Sequence, residues 1–481
     1  MDDRRDLLTR TTELANDYLD RLPNRPVGRA TDLEKLRAAL GGPLPDDPRE
    51  AVGVIEGLAR GAEPGLVGSA GPRYFGFVVG GSVPAALAAD WLTSAWDQNT
   101  GLYVLSPAAA VAEEVAGDWL IELFGLPKGS SVGFTTGATM ASFTALAAAR
   151  HAVLERDGWK VEDDGYVGAP PIAVVVSDES HVTIFASLQM LGLGRARVHR
   201  VAVDDQGRMR ADALRETLAR IDGPTIVCAQ SGNVNTGAFD PLPEIVAAVR
   251  ELPNAWLHVD GAFGLWAAAV PGLRDRVAGL EGADSWTTDS HKWLNVPYDS
   301  GVVICRDAAA HHASMTLGAA YYVETAGGER DNYNWVPESS RRARGFPVYA
   351  ALKSLGRSGL ASMIGGCCAI ARRMADRLRE GDNVTILNDV VLNQVLVRFS
   401  PPSSPPGAGS VPDAATDDVT RRVIAAVQAD GTCWLGGTTW HGMAAMRISV
   451  SNWSTTEADA DVSVEAILRC AREVAASLAP A

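Results

Sequence analysis

Short apolar runs that alternate with amphipathic stretches constrain the fold of this chain more than any other feature. Five such runs occur at residues 132–136, 172–176, 198–203, 225–229 and 256–259. Because they lack polar alternation, they indicate strands buried on both faces, which is typical of a mostly parallel sheet covered by helices. The amphipathic stretches that predict the connecting helices lie at 139–156, 182–191, 211–221 and 241–250.

The chain is long enough for two or three structural units. Its 481 residues are 47% hydrophobic, which is sufficient for a large core. Proline and glycine interrupt a helical pattern over residues 1–70, which predicts an appended helical segment. A large α/β domain is expected over 71–345. A smaller α+β domain is expected over 346–481, where a long helical pattern precedes alternating strand and helix patterns with a Pro/Ser/Gly tract at 400–412.

Charge and cysteine usage exclude several classes of protein. The chain has 58 acidic against 43 basic residues, a formal charge of −15, which argues against nucleic acid as a partner. The six cysteines show no metal-type spacing, so we expect reduced thiols and no metal site. No signal-peptide pattern follows the charged start, and no apolar run reaches the roughly 18–20 residues that span a bilayer. We therefore expect a cytoplasmic protein without a membrane partner.

The segment TDSHKWLNV at residues 288–296 places Lys292 directly after His291, between predicted buried strands at 284–287 and 301–305. Burying an ammonium group is costly because a low dielectric disfavours the charged form. The cost disappears if the amine is tied up as an imine, so this placement predicts a Schiff-base lysine for pyridoxal 5'-phosphate (PLP). For a His-Lys pair alone, a surface lysine at a strand end is the commoner explanation.

Three further segments favour the Schiff-base interpretation. Small residues at Gly137, Ala138 and Thr139 lie between a strand and a helix, where free N–H groups can bind phosphate; a tight turn with a threonine cap is the alternative. Asp260 ends an apolar strand, where a carboxylate can keep a pyridine nitrogen protonated; a simple cap is the alternative. His181 follows another strand and can lie against a ring, although backbone hydrogen bonds alone would also explain it.

Along the chain the motifs follow the order 137–139, His181, Asp260 and His291-Lys292. This order resembles the group II PLP-dependent amino-acid decarboxylases, the family of aromatic L-amino-acid, glutamate and diaminobutyrate decarboxylases. The resemblance covers about residues 70–360 and includes segments 72–77, 232–240, 334–335 and 341–342. It implies an aspartate-aminotransferase-like fold (fold type I), PLP as cofactor, and conversion of an L-amino acid to its amine and CO2. It also implies a homodimer with shared active sites.

The resemblance further implies a role for each matching residue. Lys292 would bind PLP covalently, Asp260 would pair with the pyridine nitrogen, and His181 and Ala262 would lie on the two ring faces. The residues implied to contact the phosphate or the 3'-oxygen are Gly137, Ala138, Thr139, His291 and Asn235. Tyr321, or its neighbour Tyr322, falls where the family has a loop tyrosine that returns a proton to Cα.

Two segments depart from the family pattern. Asp289-Ser290 stands where Asn-Pro usually precedes His-Lys, and Asn233 and Asn235 stand where threonine is frequent. An aspartate close to a phosphate dianion would repel it unless the side chain points elsewhere, so Asp289 is not assigned to phosphate.

The substrate is predicted from aromatic residues near the motifs. Phe75, Phe77, Trp96 and Tyr103 would suit an aromatic or other apolar side chain, although Trp91, Trp96 and Trp119 would also suit helix packing. Asp97 would instead bind an amino group. Transamination, aldol-type cleavage and decarboxylation-dependent oxidation to an aldehyde remain alternatives on the same fold, as does a non-catalytic PLP-binding protein.

Overall fold

The computed structural model describes residues 4–28, 31–316, 329–402, 404–405 and 407–478. Its α-helices are α1 Arg4–Arg21, α2 Leu33–Leu40, α3 Ala51–Ala62, α4 Pro84–Trp96, α5 Pro107–Phe124, α6 Ala138–Glu155, α7 Val161–Asp164, α8 Val182–Met190, α9 Ala211–Leu218, α10 Leu242–Arg250, α11 Ala308–Met315, α12 Gly345–Arg379, α13 Ala414–Asp430 and α14 Glu457–Leu478. Its strands are β1 Ser131–Thr135, β2 Ala173–Ser177, β3 His199–Val201, β4 Thr225–Gln230, β5 Ala255–Asp260, β6 Ser285–Asp289, β7 Gly301–Cys305, β8 Val384–Ile386, β9 Gln394–Phe399, β10 Gly436–Trp440 and β11 Met443–Ser449.

The chain forms two compact units, each discontinuous in sequence. The large unit contains residues 80–369 and 388–394, and the small unit contains residues 1–79, 370–387 and 395–481. The boundaries predicted at residues 70 and 345 divide the chain into consecutive segments, whereas each compact unit combines segments that are distant in sequence. The predicted division into domains stays a prediction. None of the helices in the described ranges is long and apolar enough to cross a membrane.

A seven-stranded sheet with the order β1-β7-β6-β5-β4-β2-β3 forms the centre of the large unit. Only β7 runs against its neighbours, β1 and β6, whereas the pairs from β6 to β3 are parallel. The predicted mostly parallel α/β sheet is therefore confirmed. Strands β1, β2, β4, β5 and β6 all point the same way, so their carboxyl ends meet at one edge of the sheet.

The core of the large unit explains why these runs become strands. Every residue of β4 and β5 is buried, as expected for strands covered on both faces. Helix α6 is rich in alanine and contacts β5, β6 and β7. Its small side chains let the helix lie close to the sheet. Fully buried side chains such as Leu146 and Val153 each contribute about 1.5–3 kcal/mol.

A four-stranded sheet with the order β10-β11-β9-β8 forms the centre of the small unit. The pairs β10–β11 and β8–β9 are antiparallel, and α13 contacts both β11 and α14. The chain before α4 joins this unit through its backbone. Phe75 donates its N–H to Trp434 O at 2.7 Å and accepts from Ser449 N at 2.9 Å. The strands and helices predicted for a small α+β unit near the C-terminus are thus present.

Candidate active site

The residues predicted to bind PLP follow strands whose carboxyl ends share one edge of the large sheet. Asp260 is the last residue of β5, and Asp289 is the last residue of β6. The turn at Gly137 follows β1, His181 follows β2, and the segment with Asn235 follows β4. Because these five strands are parallel, the topology brings the predicted set to one edge, where open α/β sheets place ligands.

Lys292 lies in the turn after β6 and forms an ion pair with Asp289. Lys292 Nζ is 2.9 Å from Asp289 Oδ2, with exposed side-chain fractions of 18% and 5%. The turn is held by backbone bonds from Ser290 N and His291 N to Ser300 O. The structure therefore places the amine in a restricted, largely buried position, where the paired carboxylate offsets the cost of burying its charge.

The start of α6 lies beside the same carboxylate. Ala138 N donates to Asp289 Oδ1 at 2.6 Å, and Ser187 Oγ donates to Thr139 O at 3.1 Å. A Cβ atom added at Gly301 would lie 2.4 Å from Gly137 Cα, so position 301 requires glycine for β7 to pass the turn. A helix start has N–H groups without partners inside the helix and carries the positive end of the helix dipole, which suits an anion. Here the carboxylate of Asp289 is the anion that accepts from Ala138 N.

His291 is a buried imidazole at the side of this turn. Burial is the main cause that lowers the pKa of His291, and Asp289 opposes the shift. Its ring centroid lies 4.4 Å from that of Tyr298, and its Nε2 lies 3.6 Å from Asp289 Oδ1. Within the described part of the chain, no hydrogen-bond partner contacts His291 Nδ1. The ring is therefore neutral at neutral pH and keeps one nitrogen available to a ligand.

Asp260 and the exit of β6 are joined through Ala262. Asp260 Oδ1 accepts from Ala262 N at 3.1 Å, and Ala262 O accepts from Asp289 N at 2.8 Å. Asp260 itself is only 7% exposed. The ends of β5 and β6, which carry Asp260 and the lysine turn, are thus fixed relative to each other by backbone geometry.

His181 caps α8 and thereby fixes its own tautomer. Its Nδ1 accepts from Thr183 N at 3.4 Å and lies 2.8 Å from Thr183 Oγ1. Since Nδ1 is an acceptor, the neutral ring carries its proton on Nε2. Asn235 is 6% exposed, and its N–H donates to Asn233 Oδ1 at 2.8 Å.

The residues predicted to select the substrate fall in both units. In the large unit, Trp96 is 49% exposed and packs edge-on against Phe346, and Tyr103 N donates to Asp331. In the small unit, Phe75 is fully buried, whereas Phe77 is 62% exposed. Trp119 stacks on Tyr349, which agrees with the packing explanation for that tryptophan. Tyr321 and Tyr322 lie outside the described residues.

Sequence reasoning missed several residues near the lysine turn. Ser290 Oγ and Ser300 Oγ are buried and have no hydrogen-bond partner in the described ranges, and Tyr298, which is 60% exposed, packs its ring against His291. Trp434, whose ring lies 5.5 Å from that of Phe77, was missed in the small unit. No pattern in the chain signals these positions, since isolated serines, tyrosines and tryptophans are common in packed turns.

A buried ion pair supports the strand that leads to α6. Arg341 is fully buried, forms an ion pair with Glu113 at 2.9 Å and donates to Phe134 O in β1. Burial raises the pKa of Glu113, while Arg341 opposes that shift. The arginine therefore links the buried ion pair to β1, an edge strand of the sheet.

Comparison with known proteins decides the family. The pyridoxal-dependent decarboxylase conserved domain matches residues 34–400. The chain belongs to this family. It is a PLP-dependent carboxy-lyase of amino acids, so the predicted family, enzyme class and cofactor are confirmed.

Individual relatives cover most of the chain. Tryptophan decarboxylase 1 of Oryza sativa subsp. japonica is 27% identical over 471 residues, which are 94% of this chain and 90% of the relative. L-2,4-diaminobutyrate decarboxylase of Rhizobium meliloti (strain 1021) is 31% identical over 400 residues, covering 82% and 76%. The solved structure of Oryza sativa TDC with PLP and tryptamine superposes with a TM-score of 0.90 at 24% identity, covering 98% of each chain. This last likeness supports the fold.

The described residues fit PLP, with one exception. They offer a largely buried lysine amine, a carboxylate at the end of β5, the start of α6, and an unpartnered nitrogen on His291. The exception is Asp289, whose carboxylate already accepts the Ala138 N–H that was predicted for phosphate.

Proposed function

We propose that this chain decarboxylates an L-amino acid with an aromatic or other apolar side chain, and that Lys292 is the residue that binds PLP. The observation that carries this proposal is the placement of Lys292 beside the start of α6, at the sheet edge where β5 ends in Asp260. A lysine of low exposure, a carboxylate and a helix start together supply the three kinds of contact that PLP requires.

Each residue has a definite task in this proposal. Bound PLP supplies the electron sink that stabilises negative charge at Cα. Asp260 holds a proton on the ring nitrogen, because a nearby carboxylate favours the cationic form. His181 presents its Nε2–H, since Nδ1 is occupied by Thr183. The N–H groups at the start of α6, with His291, bind the phosphate.

The aromatic preference is supported by exposed aromatic residues and by relatives. Phe77 and Trp96 keep 62% and 49% of their surface exposed, so both remain available for contact. The names of two relatives specify tryptophan or aromatic L-amino acids as substrates. A diaminobutyrate decarboxylase at 31% identity favours a second candidate, in which the exposed Asp97 would bind a side-chain amine.

We also infer a homodimer with shared active sites, in a cytoplasmic setting. Exposed apolar residues on α4 and α5 support the dimer, because contiguous apolar surface often marks an interface. These residues are Trp91, Leu92, Trp96 and Val111, which are 41–49% exposed.

A product-resolved screen with added PLP tests the function. Aromatic L-amino acids, glutamate, aspartate and 2,4-diaminobutyrate are supplied separately, and CO2, amine, ammonia and aldehyde are measured. We expect equal amounts of CO2 and amine from an aromatic substrate, and no turnover by Lys292→Ala. Formation of aldehyde and ammonia in place of the amine would show that the chain catalyses the oxidative reaction and not simple decarboxylation. Borohydride reduction of the PLP-bound protein should label Lys292, and labelling of another lysine would contradict the assignment.

A further inference from the structure

Asp289 is a buried carboxylate that touches both the amine and the anion-binding part of the proposed PLP site. Its Oδ2 lies 2.9 Å from Lys292 Nζ, and its Oδ1 accepts from Ala138 N at 2.6 Å. The residue is 3% exposed, so water screens its charge poorly. One side chain therefore interacts with the lysine and with the first N–H of α6.

The surroundings of Asp289 define what can balance its charge. Lys292 and His291 face it from the turn after β6, and Tyr298 lies close enough for Asp289 to contribute to its raised pKa. From α6, the described contact is the Ala138 N–H, which is neutral. Burial lowers the pKa of His291, so the imidazole supplies no positive charge at neutral pH. Lys292 is the cation that the described structure pairs with Asp289.

A phosphate at the start of α6 would add a second anion beside this carboxylate. Both anions would accept hydrogen bonds from the same helix start, where Asp289 already accepts from Ala138 N. In a poorly screened site, like charges a few ångströms apart repel strongly. Once the Lys292 amine binds the aldehyde of PLP, its ion pair with Asp289 is also altered.

We propose that Asp289 is a positioning residue that holds the Lys292 amine at the start of α6 and opposes the phosphate of PLP there. This inference rests on the proposed role of Lys292. Repulsion from the Asp289 carboxylate weakens binding of the phosphate of PLP, which pyridoxal lacks. The contact of Asp289 with Lys292 concerns the aldehyde end, which PLP and pyridoxal share. Removal of the carboxylate charge should therefore strengthen binding of PLP more than binding of pyridoxal, which has no phosphate.

The substitution Asp289→Asn tests this proposal because it keeps the size of the side chain and an acceptor oxygen for Ala138 N–H while it removes the charge. The dissociation constants of PLP and pyridoxal are measured by visible absorbance in purified wild-type and variant protein. We expect the preference for PLP over pyridoxal to rise about tenfold, equivalent to about 1.4 kcal/mol. Asp299→Asn is the matched control, since Asp299 also lies near His291 but pairs with Arg344; it should leave the preference unchanged.

Two further variants keep the result decisive. Asp289→Ala removes the charge and the acceptor and should also raise the preference for PLP, whereas Asp289→Glu keeps the charge and should not. An unchanged preference in both neutral variants would overturn the role of Asp289, as would equal strengthening for PLP and pyridoxal. Wild-type protein that binds no PLP at all would instead overturn the proposed function, and this inference with it.

Discussion

At the scale of single residues, the carboxylate of Asp260 should affect the chemical step more than cofactor binding. Asp260 is buried at the end of β5 and hydrogen-bonded to Ala262 N, so its position does not depend on a ligand. If it keeps the ring nitrogen protonated, its loss should lower the proton affinity of that nitrogen. A change of about two pKa units corresponds to about 100-fold.

We therefore expect Asp260→Asn to lower kcat by about 100-fold or more while the protein still binds PLP. Steady-state kinetics and visible spectra of the purified variant would measure both quantities. The exposed Asp275 provides the matched control, because Asp275→Asn makes the same chemical change in the helical segment 271–277, away from the strand ends. Full activity of Asp260→Asn would exclude a role for this carboxylate in charge stabilisation.

At the scale of elements, His311 connects α11 to β1 and to the segment 332–335. Its Nε2 donates to Trp335 O at 2.9 Å, and its Nδ1 accepts from Ser131 Oγ at 2.8 Å. Both ring nitrogens are therefore used by a neutral imidazole. Protonation of Nδ1 would remove the hydrogen bond that it accepts from Ser131, whose hydroxyl would then donate to Cys305 O, 3.3 Å away. Burial is the main cause that lowers the pKa of His311 to about 3.

This histidine should make the fold sensitive to acid. The unfolded pKa is about 6.5 and the folded pKa is lower, so the unfolded chain binds more protons below pH 6.5. Stability from this group is therefore complete above pH 6.5 and decreases as the pH falls towards 3. Between pH 7.5 and pH 5 the expected loss is about 2 kcal/mol.

Urea unfolding at pH 7.5 and pH 5 would measure this loss. His311→Gln should be less stable than the wild type at pH 7.5 but should lose less stability on acidification. His199→Gln on β3 is the control, because His199 is exposed and the substitution should leave the pH dependence unchanged. An identical pH dependence in His311→Gln and wild type would show that His311 is protonated equally in both states.

At the scale of the whole molecule, the sequence predicts the fully buried strands of the large sheet better than its exposed strand β3. The runs at 132–136 and 225–229 match β1 and β4 within one residue, because strands buried on both faces appear as continuous apolar runs. The run at 198–203 yields only the three-residue β3, whose first two residues are exposed at the edge of the sheet. An exposed strand such as β3 loses the apolar signal on which the prediction depends, whereas β1, at the other edge, is buried throughout and keeps that signal.

Contacts between distant segments have no local signal in the sequence. Residues 1–79 join the small unit through bonds such as Val27 N to Gly431 O, at 2.9 Å. The same limit applies in the proposed active site. Lys292, His291 and Asp260 were selected by motif, but the bridge from Asp289 to Ala138 and Lys292 depends on how two loops meet in space. Motifs therefore predicted the chemical groups, and the fold supplied the interaction that distinguishes this chain from the family pattern.

The exposed apolar residues of α4 and α5 form the surface through which we propose that the chain dimerises, and substitutions there test this proposal. Leu92, Trp96 and Val111 border a shallow apolar cavity that Phe346 and Tyr349 complete, and Leu92 is 48% exposed. A charge buried in a subunit interface is costly, so Leu92→Glu should dissociate a dimer formed by this surface. Leu58→Glu is the matched control, because Leu58 on α3 is 56% exposed and lies in the small unit.

Light scattering coupled to gel filtration would measure the masses of the three proteins. We expect the wild type and Leu58→Glu to have twice the mass of Leu92→Glu. If active sites are shared between subunits, Leu92→Glu should also lose decarboxylase activity at low protein concentration and regain it as the concentration rises, since association follows mass action. Activity of a monomeric Leu92→Glu that does not depend on concentration would show that each chain carries a complete site.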